Sequence, residues 1–374
     1  MAMSIMEGNE AIARGAIAAG CNFFAGYPIT PATTIFNNML KLLPPKGGIC
    51  IQGEDEIASI GYCIGAAMAG MKAFTATSGP GISLFSEQIS FAIGAEIPLV
   101  IADVQRLGPS TGSATRGADS DIQFLRWGNS GGVPIIVLAP VDAADCYELT
   151  VHAFNFSEQF RCPVFIASNK EIGLTKESLD VSSLRLPKIS NRAHYDGDNF
   201  QPFEASAEQS PSFLPIGGST IVRTTSSTHG ADGYITNDPE TIGRSQARLR
   251  DKILSHQHSI TLWDQTIEDG SEILIITYGV TSRAVAESIK LAKKQGLKLS
   301  HLTLKTIWPV PEALILTTAE PFSRILVFEM NLGQYVEEVR KVLPAKCVEF
   351  YGQLDGTLIT PEQILKAVEH GSLS

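Results

Sequence analysis

Among the six cysteines of this 374-residue chain no two stand as a Cys-x-x-Cys pair, so the usual ligand spacings of zinc and iron–sulfur sites are missing. Cys21, Cys50, Cys63, Cys146, Cys162 and Cys347 are scattered, several of them within apolar runs, which points to reduced, buried thiols and a cytoplasmic setting. The histidines make no metal-ligand set, so no metal is expected on this chain. Charge is scarce at 18% of residues, and positive charge scarcer still: 29 Lys and Arg against 39 Asp and Glu leave −10. That balance argues against nucleic acid and anionic lipid as partners. The most apolar stretch, 58–76, is broken by Lys72 and crowded with small polar residues, so no membrane span is expected. MAMSIMEGNE has no basic region before an apolar core, and it is expected not to be a secretory signal.

What the chain has is apolar residue, 44% of it, with little polar surface to cover the rest, so an oligomer is expected. At roughly 150 residues per domain the length allows two or three domains. Short β-rich runs, CNFFAGY, GICIQG, KAFTATS, PLVIADV, PIIVLAP and PVFIAS, alternate with helical runs at 8–19, 33–42, 56–70, 82–94 and 141–159. This is the pattern of a doubly wound parallel sheet, placed at 1–176. From 177 to 261 the periodicity fails and the stretch reads as an irregular linker or insert. The alternation resumes over 262–374 with EILIITYG, KLSHLTLK, RILVFEMN and CVEFYG, giving a second, smaller α/β domain.

Open parallel sheets bind ligands beyond the carboxyl ends of their strands. Those ends are here Gly26 to Pro31, Gln52 to Glu56, Thr77 to Gly81 and Asp103 to Arg106, polar and glycine-rich enough to line a cleft. Two prolines stiffen YPITP and present the Thr30 hydroxyl, although the same residues suit a plain turn into the next helix. Glu54, Asp55 and Glu56 open a helix that is apolar or small on every face and is expected to be buried all round. Acids there are ordinary dipole partners, yet one pressed against a buried helix start is also set up for proton exchange. Arg106 follows an apolar strand, where its guanidinium fork suits a carboxylate. Gly108-Pro-Ser110-Thr-Gly112 fits the spacing of a nucleophile elbow, which keeps a serine hydrolase through Ser110 as a rival reading.

Taken together, GNEAIARGAIAAGCNFFAGYPITPAT, EDEIASIGYCIGAAMAGMKAFTATSGPGISL, DVQRLGPSTG, LKTIWPVP and VFEMNLGQ resemble the α subunit of the 2-oxoacid:ferredoxin oxidoreductases, most closely the 2-oxoglutarate type. The resemblance covers nearly the whole chain. It implies a thiamine-diphosphate pyrimidine-binding domain followed by a transketolase C-terminal-like domain. It also implies a cofactor shared with a β subunit that holds the diphosphate and Mg2+, and this chain has no Gly-Asp-Gly followed some thirty residues later by Asn. By matching motifs, Glu56 falls on the glutamate that exchanges a proton with the pyrimidine nitrogen, while Tyr27, Pro28 and Ile29 fall within the cofactor-binding YPITP. Thr30 falls beside the substrate carbonyl and carboxylate, and Arg106 on the arginine that pairs with that carboxylate. The implied reaction is CoA-dependent oxidative decarboxylation, with electrons passed through [4Fe-4S] clusters of partner subunits to ferredoxin; γ and δ subunits are further candidate partners. Ser113 to Gly117 and THGADGY depart from the family pattern, which leaves 2-oxoglutarate, branched-chain and aryl 2-oxo acids all open as substrates.

Overall fold

The computed structural model describes residues 3–370, and its centre is a seven-stranded sheet. In spatial order the strands are Thr306–Trp308, Ile136–Leu138, Pro163–Asn169, Leu99–Gln105, Ala73–Thr77, Phe23–Gly26 and Ile49–Gln52, all parallel except the first. Leu99–Gln105 and Pro163–Asn169 are buried along their whole length, as central strands covered by helices on both faces must be. The helices Gly8–Ala18, Thr33–Leu42, Glu56–Met68, Pro80–Gly94 and Ala143–Phe160 fall where the periodicity puts them, give or take a turn end. Asp142 caps the last of these, its carboxylate accepting the Asp145 N–H at 2.8 Å. From Phe23–Gly26 the chain steps outward to Ile49–Gln52, then returns to Ala73–Thr77 on the other side. That reversal is the topological switch point, and it opens a crevice beyond the carboxyl ends of these strands.

A second sheet runs Val348–Gly352, Arg324–Glu329, Ile273–Tyr278, Ser300–Leu304 and Trp263–Thr266, only the last antiparallel. The short strand Thr306–Trp308 leaves this half of the chain and pairs with Ile136–Leu138 of the first sheet, so the two halves share a sheet edge. Trp308 adds a donor bond from its indole N–H to the Ile122 carbonyl at 3.1 Å.

Two expectations need correcting. The 177–261 stretch is not irregular throughout: Lys176–Leu179 pairs with Ser4–Glu7, and Pro239–Leu254 is a helix. Local periodicity missed the helix because it is anchored by charge. Its buried Arg248 and Lys252 both pair with the fully buried Glu96, Lys252 at 2.8 Å. Burial alone would raise the Glu96 carboxyl, but Lys252 and Arg248 outweigh it and hold it down at about 2. The second correction concerns the helix Glu56–Met68, which is not buried all round. Ile57 and Tyr62 stand exposed on one face, while Ile60, Cys63 and Ile64 face the core. Among the described residues no helix is long and apolar enough to cross a membrane. Cys21, Cys63, Cys146 and Cys162 are buried thiols as expected, Cys50 is half-buried and Cys347 is exposed.

Candidate active site

Arg106 emerges from the end of Leu99–Gln105 into the crevice with only 5% of its surface exposed. Its Nη1 donates to the Thr30 carbonyl at 2.5 Å, which ties the end of this strand to the proline-stiffened loop after Phe23–Gly26. The Thr30 side chain is exposed, Tyr27 is 39% exposed, and Pro28 and Ile29 are half-buried. Arg106 Nε is buried and meets no acceptor.

The three acids that open the neighbouring helix have separate fates. Asp55 caps it, accepting the Ala58 N–H at 2.7 Å. Glu54 is exposed and accepts from the Tyr62 hydroxyl at 3.2 Å. Glu56, relieved of both jobs, turns inward and is 8% exposed. It lies against Gly81: a Cβ there would sit 3.1 Å from Glu56 Oε1 and 2.0 Å from Thr77 Oγ1. Gly79, at φ 50°, sits as closely under Arg106, its Cβ position 3.0 Å from Nε. Glu56 and Arg106 therefore flank one turn, Gly79-Pro80-Gly81, and the structure brings Thr30, Glu56 and Arg106 together. The hydroxyls of Thr77 and Ser78 in the same turn are buried without partners. Buried polar groups are nearly always satisfied, so this cluster marks a place where a ligand would supply the bonds.

Ser110 has φ 53° and is exposed, but it tops a closed loop in which Ser113 N–H bonds the Leu107 carbonyl at 2.9 Å, instead of leading from strand into helix. The elbow geometry is missing, and the hydrolase reading falls with it. Among the described residues no group of three or more His, Cys, Asp or Glu is placed to hold a metal ion.

Sequence reasoning counted Asp103 among the strand ends but missed Asp121 and the pairing of the two acids beneath Arg106. Asp103, inside the apolar strand, is fully buried with neither carboxylate oxygen meeting a donor, and its side chain faces that of Asp121 at hydrogen-bonding distance. A charged residue inside PLVIADV was the available signal. The loop carrying Asp121 is pinned by the second half of the chain. Asn331 Nδ2 donates to the Asp119 carbonyl at 2.9 Å, Gln334 Nε2 to the Ser120 carbonyl at 2.7 Å, and the Asp119 N–H to the Met330 carbonyl at 3.1 Å. The VFEMNLGQ motif thus shapes the site from the other domain.

Burial pushes Asp119 up to about 7, against a hydrogen bond from Asn169 and with repulsion from Glu329 adding to it. The folded chain therefore keeps a proton that the unfolded one loses near pH 4, so this group's contribution to stability falls as pH rises toward 7 and the penalty is complete above it. His301, pushed down to about 4 by burial, acts in the opposite sense below its ordinary value, so a variant comparison is needed to isolate the acid. Thermal unfolding of the chain at pH 6 and pH 8 is expected to show wild type losing about 1.4 kcal/mol more than Asp119→Asn across that interval. Equal losses would remove Asp119 from the account.

Comparison with known proteins identifies the family. The family described as pyruvate flavodoxin/ferredoxin oxidoreductase, thiamine diP-bdg, matches residues 14–247, and pyruvate:ferredoxin oxidoreductase core domain II matches 271–364. The matched family and the fold are those of a thiamine-diphosphate-binding oxidoreductase subunit. A split-gene transketolase with TM-score 0.56 and 14% identity shares the fold over 97% of both chains. More specifically, the chain belongs to the family of 2-oxoacid:ferredoxin oxidoreductase α subunits. It is 39% identical to the 2-oxoglutarate synthase subunit KorA of Methanothermobacter thermautotrophicus over 97% of both chains. It is also similar to the 2-oxoglutarate:ferredoxin oxidoreductase of Magnetococcus marinus, solved with 2-oxoglutarate, coenzyme A and succinyl-CoA bound, at TM-score 0.88 and 31% identity. That match covers 98% of this chain and 65% of the other.

Proposed function

We propose that this chain, joined to a β subunit, converts a 2-oxo acid and CoA to an acyl-CoA, CO2, a proton and two electrons for ferredoxin, and that 2-oxoglutarate is its substrate. The observation that carries the reading is the placing of Glu56 and Arg106 on either side of Gly79-Pro80-Gly81, with the hydroxyls of the preceding Thr77 and Ser78 unpartnered. These residues fit thiamine diphosphate at its pyrimidine end: an inward carboxyl for a ring nitrogen, and two glycines where any side chain would fill the cradle. Thiamine diphosphate would supply the nucleophile and the electron sink for decarboxylation. Glu56 holds and returns a proton at the ring nitrogen. Arg106 pairs with the substrate carboxylate and is kept at that angle by the Thr30 carbonyl. Thr30 is exposed and would donate its hydroxyl toward the substrate carbonyl, and Tyr27, Pro28 and Ile29 would contact the ring. The 2-oxoglutarate assignment is supported by the names of the relatives, which narrow the three substrate classes that the sequence left open.

Mg2+ and the [4Fe-4S] clusters are assigned to partner subunits, as the scattered cysteines and the missing Gly-Asp-Gly motif suggest. The exposed Ile57 and Tyr62 face would be covered by the β subunit. Because diphosphate and metal provide most of the cofactor's anchoring, calorimetry is expected to show no micromolar thiamine diphosphate binding to this chain alone. The same titration of the chain with its β subunit should show it. Tight binding to the isolated chain would contradict the shared site.

A further inference from the structure

Two carboxyl groups in contact cannot both stay ionised away from water. Asp103 has no surface exposure and no donor on either oxygen, and Asp121 Oδ2 is also without a donor. The cation that both groups feel is Arg106, one strand position beyond Gln105, whose Nε is itself a buried donor without an acceptor. Gln105 fixes the arrangement by accepting the Asp121 N–H at 2.9 Å. Asp121 also reaches a cleft of about 530 Å³ between the two halves of the chain, together with Gly79, Pro80, Ser110, Asn331 and Gln334.

We propose that Asp103 and Asp121 share a proton beneath Arg106 and take up a second one from solvent when a carboxylate docks on the guanidinium, so that substrate binding is linked to protonation. The proposal rests on the reading of Arg106 as the carboxylate clamp. Its electrostatics are simple: a shared-proton pair and Arg106 together are neutral, and an arriving anion makes the site negative unless the pair protonates. Besides Arg106, other charged and polar groups stand on the neighbouring elements. Asp119 stands on the same loop, Asn169 ends the adjacent strand, and Glu329 and Tyr278, hydrogen-bonded to each other, belong to the second sheet. Glu56 lies beyond Thr77 and Gly81, and Lys170 and Glu171 pair with each other on the following helix. Burial, against the pull of the Asp103 contact and Arg106, leaves Asp121 pushed up to about 7, and burial with repulsion from Asp121 keeps Asp103 protonated further. The second proton is therefore exchangeable at physiological pH.

These two acids act through Arg106 as positioning residues. The test uses the reconstituted complex and 2-hydroxyglutarate, which carries the carboxylates of 2-oxoglutarate but has no ketone to react. Calorimetry at pH 7.5 in buffers of different ionisation enthalpy counts protons taken up per anion bound. Wild type is expected to take up about half a proton or more, and Asp121→Asn or Asp103→Asn, which remove one of the two carboxyls that share the proton, markedly less. Wild-type affinity should also weaken with rising pH above 7, by up to about tenfold per unit, and the Asn variants should show a shallower dependence. Infrared difference spectra of wild type alone should show the protonated-carboxyl band growing when the anion binds. Binding without proton uptake, or uptake unchanged in both variants, overturns the proposal and leaves Arg106 as the clamp. No binding to wild type at any pH overturns both.

Discussion

Glu56→Gln is expected to lower kcat of the reconstituted complex by about 10²- to 10⁴-fold, the usual worth of a positioned proton-transfer group. Gln has the size of Glu and keeps a hydrogen bond to a ring nitrogen, so cofactor affinity and KM for the 2-oxo acid should change little. What it loses is the exchangeable proton. The geometry makes the substitution clean: Glu56 is inward, and its neighbours Thr77 and Gly81 are compatible with either side chain. Steady-state reduction of a viologen acceptor with saturating CoA gives kcat directly. A loss confined to KM would reassign Glu56 to substrate binding.

Arg106→Leu should cost roughly 2 to 4 kcal/mol of transition-state stabilisation, a fall of about 30- to 1,000-fold in kcat/KM, because the substrate carboxylate is left unpaired. Leu also removes the bond to the Thr30 carbonyl and the cation facing Asp103 and Asp121. Arg106→Lys separates these effects, since it keeps the charge and gives up the fork. It is expected to recover part of the loss, while thiamine diphosphate binding stays intact in both variants. A fall of less than tenfold with every 2-oxo acid tried would take the clamp role away from Arg106.

The parts of the site legible in the sequence were those lying at strand ends. Alternating β-rich and helical runs located the sheet, and the carboxyl-end rule for such sheets led to Thr30, Glu56 and Arg106, which lie around one turn in the structure. Separating Glu56 from Glu54 and Asp55 needed the family's motif, because helix-start acids are interchangeable in composition. Asp103 was read only as part of a strand end, because its partner Asp121 is separated from it by a loop that local pattern does not bridge. The pairing of Thr306–Trp308 with Ile136–Leu138 is a three-residue, long-range contact that local periodicity does not register. The helix Pro239–Leu254 escaped because its inner face is closed by Arg248 and Lys252 on Glu96, where an apolar stripe was sought. The helix Glu56–Met68 shows the converse: apolar residues on every face were read as burial within one chain, whereas Ile57 and Tyr62 stand exposed.

The central claim is that this chain brings to a shared thiamine site the acid that starts its chemistry. It is tested most directly by hydrogen–deuterium exchange at thiamine C2 in the reconstituted complex, followed by quenched-flow NMR for wild type, Glu56→Gln and Glu54→Gln. Glu54 is the control, since it is exposed and engaged by Tyr62. Exchange is expected to slow about 10²- to 10⁴-fold in Glu56→Gln and to be unchanged in Glu54→Gln. Slowing only in Glu54→Gln would mean the wrong acid, and no slowing in either would remove the thiamine assignment from this crevice.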